Sequence, residues 1–350
     1  VSEGGEVELP IPPVLILSTG RCGSTMISDL LNRHPQVLSL SEFFVPLGPE
    51  AFAWQRPDGA RMWRTLTRQS AGLHAMLKDG HVVEEGLYRF DAPAARYRPE
   101  TVPPVMAVTL PHLSDDPEAL LDELEPLVRA RPRMPLAEHY RALFGDLAGK
   151  LGRRVWVERS GGTLMYAAKL LRLFPEARVI HVYRDGRDTA MSMSRHHNFR
   201  VLVGALLRCR RLGIDVRRNF RAARGSPLDV LMQRLVFGVL EVEKTAALPT
   251  LEDFGRFWSD LIEIGEEAFR DLPPERLLNV RFEDVQTAPR DKLRELIRFI
   301  DPSLEDEAWI EEAAAIPRPA RSKFQTLPAA EQAALTRACA PGLERLGYPL

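Results

Sequence analysis

Lysine is scarce in this chain. Only six of its 47 basic residues are Lys, at positions 78, 150, 169, 244, 292 and 323, and the other 41 are Arg. Arginine suits bidentate anion binding, although a GC-rich genome produces the same bias. Cysteine is scarcer still: Cys22, Cys209 and Cys339 are too few and too scattered for a disulfide framework or a zinc site. No apolar run is long enough to span a bilayer, so no transmembrane segment is expected. Residues 1–13 lack a basic n-region and an apolar h-region, so they do not read as a secretory leader, and a cytoplasmic location is the simplest expectation. Excess charge is missing as well. A net charge of −1 implies no polyanion-binding surface overall, and nucleic acid is not an expected partner.

What is present is ordinary for a globular protein, with 45% hydrophobic and 27% charged residues. A length of 350 residues allows a large core, as one big domain or two. The chain is organised around residues 14–31, VLILSTGRCGSTMISDLL. Residues 14–17 form a short apolar run bounded by Pro12-Pro13 and Gly20, the sign of a buried strand. Met26, Ile27, Leu30 and Leu31 then follow a helical spacing. Between strand and helix lie Gly20, Arg21, Cys22, Gly23, Ser24 and Thr25. A glycine-containing turn at a helix N-terminus is an anion site, because backbone N–H groups and the helix dipole face the ligand. Ser24 and Thr25 add hydroxyls and Arg21 adds a permanent charge. The Walker form, G-x-x-x-x-G-K-[ST], is not met: the loop is too short and no Lys precedes Ser24 or Thr25.

Pro35 ends the helix, and residues 37–40 read as a second strand. Glu42 follows it, where a parallel sheet places its ligand crevice; a lone loop Glu is otherwise a solvated surface charge. Residues 44–150 are the least legible third, rich in Pro and scattered aromatics. There, residues 60–77 and 117–131 are expected to be helical and 105–110 a strand. His112 is a rival base candidate, but a loop histidine with no motif around it is more often structural. Residues 154–158 and 178–183 are strands, each followed by a turn (159–162 and 184–188) and a helix (163–174 and from 189). Two strand–turn–helix units in succession argue for a parallel sheet with crossover helices. Arg184 at a strand end, with Ser192 two turns into the next helix, can grip one phosphate from two sides. Residues 202–211, 229–247, 251–270 and 290–300 are expected helices, and 277–281 a strand leading into Phe282-Glu283-Asp284. The arginines around 208–224 read as a solvated face rather than a site for an acidic acceptor.

Three ordered blocks resemble the sulfotransferases that use 3′-phosphoadenosine 5′-phosphosulfate (PAPS), with core motifs most like the tyrosylprotein and bacterial sulfotransferase branch. They cover residues 14–44, 154–195 and 277–350. The loop basic-x-Gly-[Ser/Thr]-Thr, here Arg21 to Thr25, is similar to the 5′-phosphosulfate loop. The run RDGRDTAMSMS from Arg184 is similar to the 3′-phosphate motif, Ser192 included. His34-Pro35 followed by Glu42 matches the register of the tyrosylprotein branch, in which that Glu is the catalytic base. Arg159 stands where the family carries a basic residue, commonly Lys, that faces the sulfate. Gly161 occupies the position of the cytosolic branch's catalytic His, so that base is absent here. Phe282 replaces a common Tyr near the adenine. Arg321, Ser322 and Lys323 lie in a basic tail that in the family folds over the 3′-phosphate.

The resemblance implies a P-loop-type α/β fold with a central, mostly parallel sheet flanked by helices, as a single domain over residues 1–350. Residues 45–153 and 196–276 would be mainly helical acceptor-covering insertions. It implies sulfuryl transfer from PAPS, with 3′-phosphoadenosine 5′-phosphate (PAP) as product and no metal required. The acceptor would be a small-molecule, lipid, saccharide or peptide hydroxyl, or an amine. A P-loop kinase or NTPase, and a non-catalytic nucleotide-binding protein, are the rival readings.

Overall fold

The computed structural model describes residues 11–77, 86–93, 95–239, 241–319 and 321–350. The leader reading over residues 1–10 and the place of Ala320 in the basic tail lie outside them. In chain order the elements that build the site are β1 (Val14–Ser18), α1 (Ser24–Asn32), β2 (Val37–Ser41), α2 (Ala71–Leu77), β3 (Val155–Arg159), β4 (Arg178–Tyr183), α3 (Gly186–Arg195), α4 (His197–Arg211), α5 (Pro227–Gly238), α6 (Leu251–Phe269), β5 (Leu277–Arg281), α7 (Pro289–Ile300) and α8 (Ala329–Arg345).

Among the described residues the strands form one five-stranded, all-parallel sheet in the order β2-β3-β1-β4-β5. β1 is central because both of its neighbours cover it, and all five of its residues are buried. Such a strand carries apolar residues on both faces instead of alternating. Val14 and Ile16 pack with α1 and α7 through Ile27, Leu30, Leu31, Leu293 and Ile297. Leu15 and Leu17 join the opposite core with Phe43, Phe44, Tyr140, Phe144, Phe174 and Trp258. The chain leaves β1 toward β2 on one side and later returns to β4 on the other. In a parallel sheet that reversal opens a crevice at the carboxyl ends of the strands. The loop after β1, Glu42 after β2, Arg159 ending β3 and Arg184 after β4 all fall on that edge.

Several expected elements differ. Residues 105–110 form no strand but parts of two short helices, Pro104–Ala107 and Thr109–Leu113. Val105, Met106, Ala107, Val108 and Leu110 are all buried, so the segment has no polar face to reveal a period. His112 thus sits on a helix and not in a loop. The helix expected over 60–77 breaks into Gly59–Thr67 and α2, where the Ser70 hydroxyl accepts from Leu73 N–H. That expected over 229–247 ends at Gly238, and a separate helix runs from Val242 to Ala246. The helix after Gly162 opens with a 3₁₀ turn, Thr163–Tyr166, before Ala167–Leu173. Pro341 does not end α8, which runs on to Arg345.

Trp258 of α6 is fully buried and wedges between α3 and α8. A Cβ on Gly186 would stand 2.3 Å from its ring, and one on Gly342 2.5 Å. The close approach seats the start of α3 against α6. Gly186→Ala should therefore destabilise the fold by about 1–3 kcal/mol, the cost of overpacking. Gly145→Ala, in a helix where an added Cβ meets nothing within 4 Å, should stabilise by about 0.5–1 kcal/mol. Urea midpoints at constant m-value distinguish the two; equal shifts would refute the wedge.

Candidate active site

The loop after β1 turns sharply. Gly20, Arg21 and Gly23 all have positive φ, at 76°, 56° and 85°. Gly23 has a second reason to lack a side chain, since a Cβ there would fall 1.9 Å from the Phe282 ring. The backbone N–H groups at the start of α1 lie beyond this turn. The Cys22 side chain points away from them, into the core, where its thiol donates to Val182 C=O at 3.4 Å. Only its backbone is thus available to a ligand.

Arg159 is the hub. The residue is 2% exposed, and its guanidinium donates to Ser24 Oγ at 3.1 Å, Ser41 Oγ at 3.3 Å, Glu42 Oε1 at 2.6 Å and Thr25 Oγ1. One side chain at the end of β3 therefore ties together the loop, the end of β2 and Glu42. Glu42 Oε1 also accepts from Gly161 N–H at 2.9 Å. The Glu42 backbone is held on both sides: its N–H donates to Arg159 C=O at 2.7 Å, and its C=O accepts from Thr109 Oγ1 at 3.0 Å. Its φ of 52° is left-handed, and Arg21 and Glu42 are the only non-glycine residues with positive φ among those described. Such a conformation is disfavoured for Glu and persists only where its surroundings enforce it.

The second cluster lies beside the first. Arg21 Nε donates to Ser192 Oγ at 3.2 Å, which joins the loop to α3. Arg184 lies 3.8 Å from Asp188 and over the Phe282 ring at 5.8 Å. Arg21, Arg184, Asp188, Ser192, Arg195, His196 and Lys323 enclose a polar cavity of about 200 Å³. Asp188, which reads from sequence as a plain cap residue, accepts from the N–H groups of Lys323 and Phe324 at 2.8 and 3.1 Å. It thereby straps the tail across this cavity. Arg321 and Ser322 do not line it. Arg195 and His196, which sequence reasoning passed over, do; both lie directly past the RDGRDTAMSMS run. His112 is elsewhere, with Nε2 3.1 Å from Asp29 of α1.

A second cavity opens on the other side of Arg21. Arg21, Thr25, Glu42, Arg159 and Gly161 form one end, and α2, α4 and α5 contribute its walls. Both cavities include Arg21 and His196. The arrangement can hold an anionic group between fixed cations and backbone donors while presenting it to a molecule in the second cavity.

Glu158 is a further buried carboxyl, on the opposite face of β3 from Arg159. It accepts from Ser160 Oγ at 2.6 Å, and Ser160 Oγ accepts from Phe44 N–H at 3.0 Å, so the chain after Glu42 is fastened to β3. Burial pushes Glu158 up to about 8, with the Glu42 carboxylate adding to the shift against the Ser160 bond.

A family model described as "Sulfotransferase family" matches residues 12–206, and one described as "Sulfotransferase domain" matches residues 165–317. No curated protein matches the chain. Among solved structures, the sulfotransferase domain of the Synechococcus PCC 7002 olefin synthase is 17% identical, covers 100% of both chains and gives a TM-score of 0.47. That from the curacin biosynthetic pathway is 15% identical over 98% of this chain and 100% of its own, with a TM-score of 0.48. The sulfotransferase STF9 from Mycobacterium avium is 14% identical over 98% and 79%, with a TM-score of 0.45.

The Glu158 carboxyl should shape the pH dependence of stability. Between an ordinary Glu value of 4.5 and about 8, the folded chain holds a proton that the unfolded chain has released. Its contribution is complete below that range and lost as pH rises through about 8. Glu158→Gln should therefore flatten the decline in Tm over this window relative to wild type. Parallel Tm curves would show that Glu158 is already ionised in the fold.

Proposed function

The chain belongs to the sulfotransferase family, and from that premise we propose that it transfers a sulfuryl group from PAPS to an acceptor hydroxyl or amine, with Glu42 as general base. The observation that carries this reading is the pair of cavities meeting at Arg21 and His196, with the Arg159–Glu42 pair lining the second beside Arg21. The polar cavity suits the 3′-phosphate, held by Arg184, Ser192 and Lys323. The N–H groups of Gly23, Ser24 and Thr25 suit the 5′-phosphosulfate, as helix N-termini do for anions. Phe282, packed on the loop and beneath Arg184, offers its ring to the adenine.

The reaction is an in-line displacement. The acceptor oxygen forms a bond to sulfur as the bond from sulfur to the 5′-phosphate oxygen breaks, and the electron pair leaves with PAP. Charge gathers on the leaving and equatorial oxygens, as in phosphoryl transfer. Arg21 stabilises the leaving phosphate oxygen, and Arg159 stabilises the sulfuryl group. Each electrostatic or proton-transfer contribution is worth about 10²–10³-fold. Glu42 takes the acceptor proton; its pairing with Arg159 keeps the carboxylate placed at the floor of the second cavity. The rival kinase or NTPase reading lacks its P-loop Lys, since the first Lys in the chain is Lys78. The rival non-catalytic reading accounts for Glu42 as the counter-charge of Arg159 but not for the placing of that pair on the lining of the second cavity.

Two experiments test the proposal. PAP should raise Tm well above the effect of AMP or of ATP with magnesium, and Arg184→Ala should weaken PAP by about 1.5–3 kcal/mol while leaving AMP little changed. Stabilisation by ATP and none by PAP would reject the donor assignment. Glu42→Gln should lower turnover by about 10²-fold or more in protein that still folds and binds PAP. His112→Ala, remote from both cavities, should keep most activity. The reverse pattern would move the base away from Glu42.

A further inference from the structure

The cavity above the Arg159–Glu42 pair has a two-part lining. Its charged groups Arg21, Glu42 and Arg159 are those the reaction uses, and His196 lies beside them. Beyond them the walls are apolar: Leu73 and Met76 of α2, Val108, Phe199 and Leu202 of α4, and Phe237 of α5. The polar groups on these walls, Ser70, Tyr166, Asn198 and Gln233, are uncharged and few. Ser70 is already engaged, donating to Pro46 C=O at 2.8 Å and accepting from Leu73 N–H at 3.1 Å. Gln233 is different. It sits on the inner side of α5 against Gly48 and Gly72, where an added Cβ would stand 3.1 and 3.2 Å from its Nε2. Its Oε1 is buried and has no hydrogen-bond partner among the described residues. A buried acceptor without a donor is costly, and a ligand that supplies one removes that cost.

Resting on the sulfotransfer reading above, we propose that the acceptor is an uncharged alcohol on an apolar chain, carrying along that chain a hydrogen-bond donor for Gln233. An acceptor with hydroxyls on every side would strand most of them against Leu73, Met76, Phe199 and Leu202. A charged acceptor would be desolvated there with no opposite charge to meet it. The reacting hydroxyl reaches Glu42 at the polar end, and the chain lies along α2 and α5.

The test uses the full chain saturated with PAP. Binding of 1-alkanols from butanol to decanol is followed by calorimetry, beside ω-hydroxyalkanoates, an amide-bearing alkanol and glucose. Transfer from labelled PAPS is measured on the same panel. Alkanol affinity should rise about fourfold per methylene until the cavity is filled. The hydroxyalkanoates and glucose should bind at least tenfold more weakly than alkanols of similar size. Gln233→Leu should cost the amide-bearing alkanol about tenfold and leave plain alkanols as tight or tighter. Phe237→Ala should weaken every alkanol severalfold, a readout that stands even if Gln233→Leu does not fold. Affinity independent of chain length, or better binding and sulfation of glucose or the hydroxyalkanoates, overturns the acceptor inference while PAP binding leaves the donor reading intact. Failure of PAP itself to bind overturns both.

Discussion

Arg159 is a full positive charge held at 2% exposure on the carboxyl edge of a parallel sheet. Such a charge survives only when its donors are satisfied and a counter-charge is close; removing one partner of a buried pair typically costs about 3–5 kcal/mol. Glu42 supplies the counter-charge, and Ser24, Thr25 and Ser41 accept the remaining donors described. A planar fork reaches four acceptors on two segments at once, which the single ammonium of Lys cannot do with the same geometry. The loop after β1, the end of β2 and the end of β3 are therefore fixed relative to one another by one side chain. The strained backbone at Glu42 is held within this same knot, and that at Arg21 lies in the loop the knot fastens through Ser24 and Thr25.

Much of this was legible in the sequence. The apolar run of β1, the glycine turn and the helical spacing of α1 are local, and they place Arg21, Gly23, Ser24 and Thr25 where the structure has them. Glu42, Arg159 and Arg184 were legible as strand-end residues because a parallel sheet gathers its strand ends on one edge. What stayed hidden is of two kinds. Segments buried on every side, such as Val105 to Leu110, carry no alternation and therefore no period to read. Contacts across long sequence separations are the other kind. Asp188 looks like a cap until the N–H groups of Lys323 and Phe324 are found on it. Gln233 looks like one polar residue in an apolar helix until Gly48 and Gly72 are seen to make room for it.

The division of labour in the molecule follows from the same geometry. Short-range motifs build the side that holds Arg21, Ser24 and Thr25, where glycine turns and a helix start fix the backbone. The opposite side is assembled from α2, α4 and α5, which differ widely in sequence position and are joined only by packing. This wall can vary without disturbing the Arg159 hub, because none of its side chains touches the guanidinium through a described hydrogen bond.

The left-handed backbone at positions 21 and 42 has an implication for engineering. Glycine adopts that conformation at no steric cost, whereas Arg and Glu do not. A search for heat-resistant variants that scores folding alone would be drawn toward relieving position 21, while at position 42 the counter-charge that Arg159 requires opposes the change. It would erase the one side chain of the two that lines both cavities, so a gain in melting temperature would come with their shared wall removed. Selection on this scaffold has to keep a chemical readout beside the melting curve.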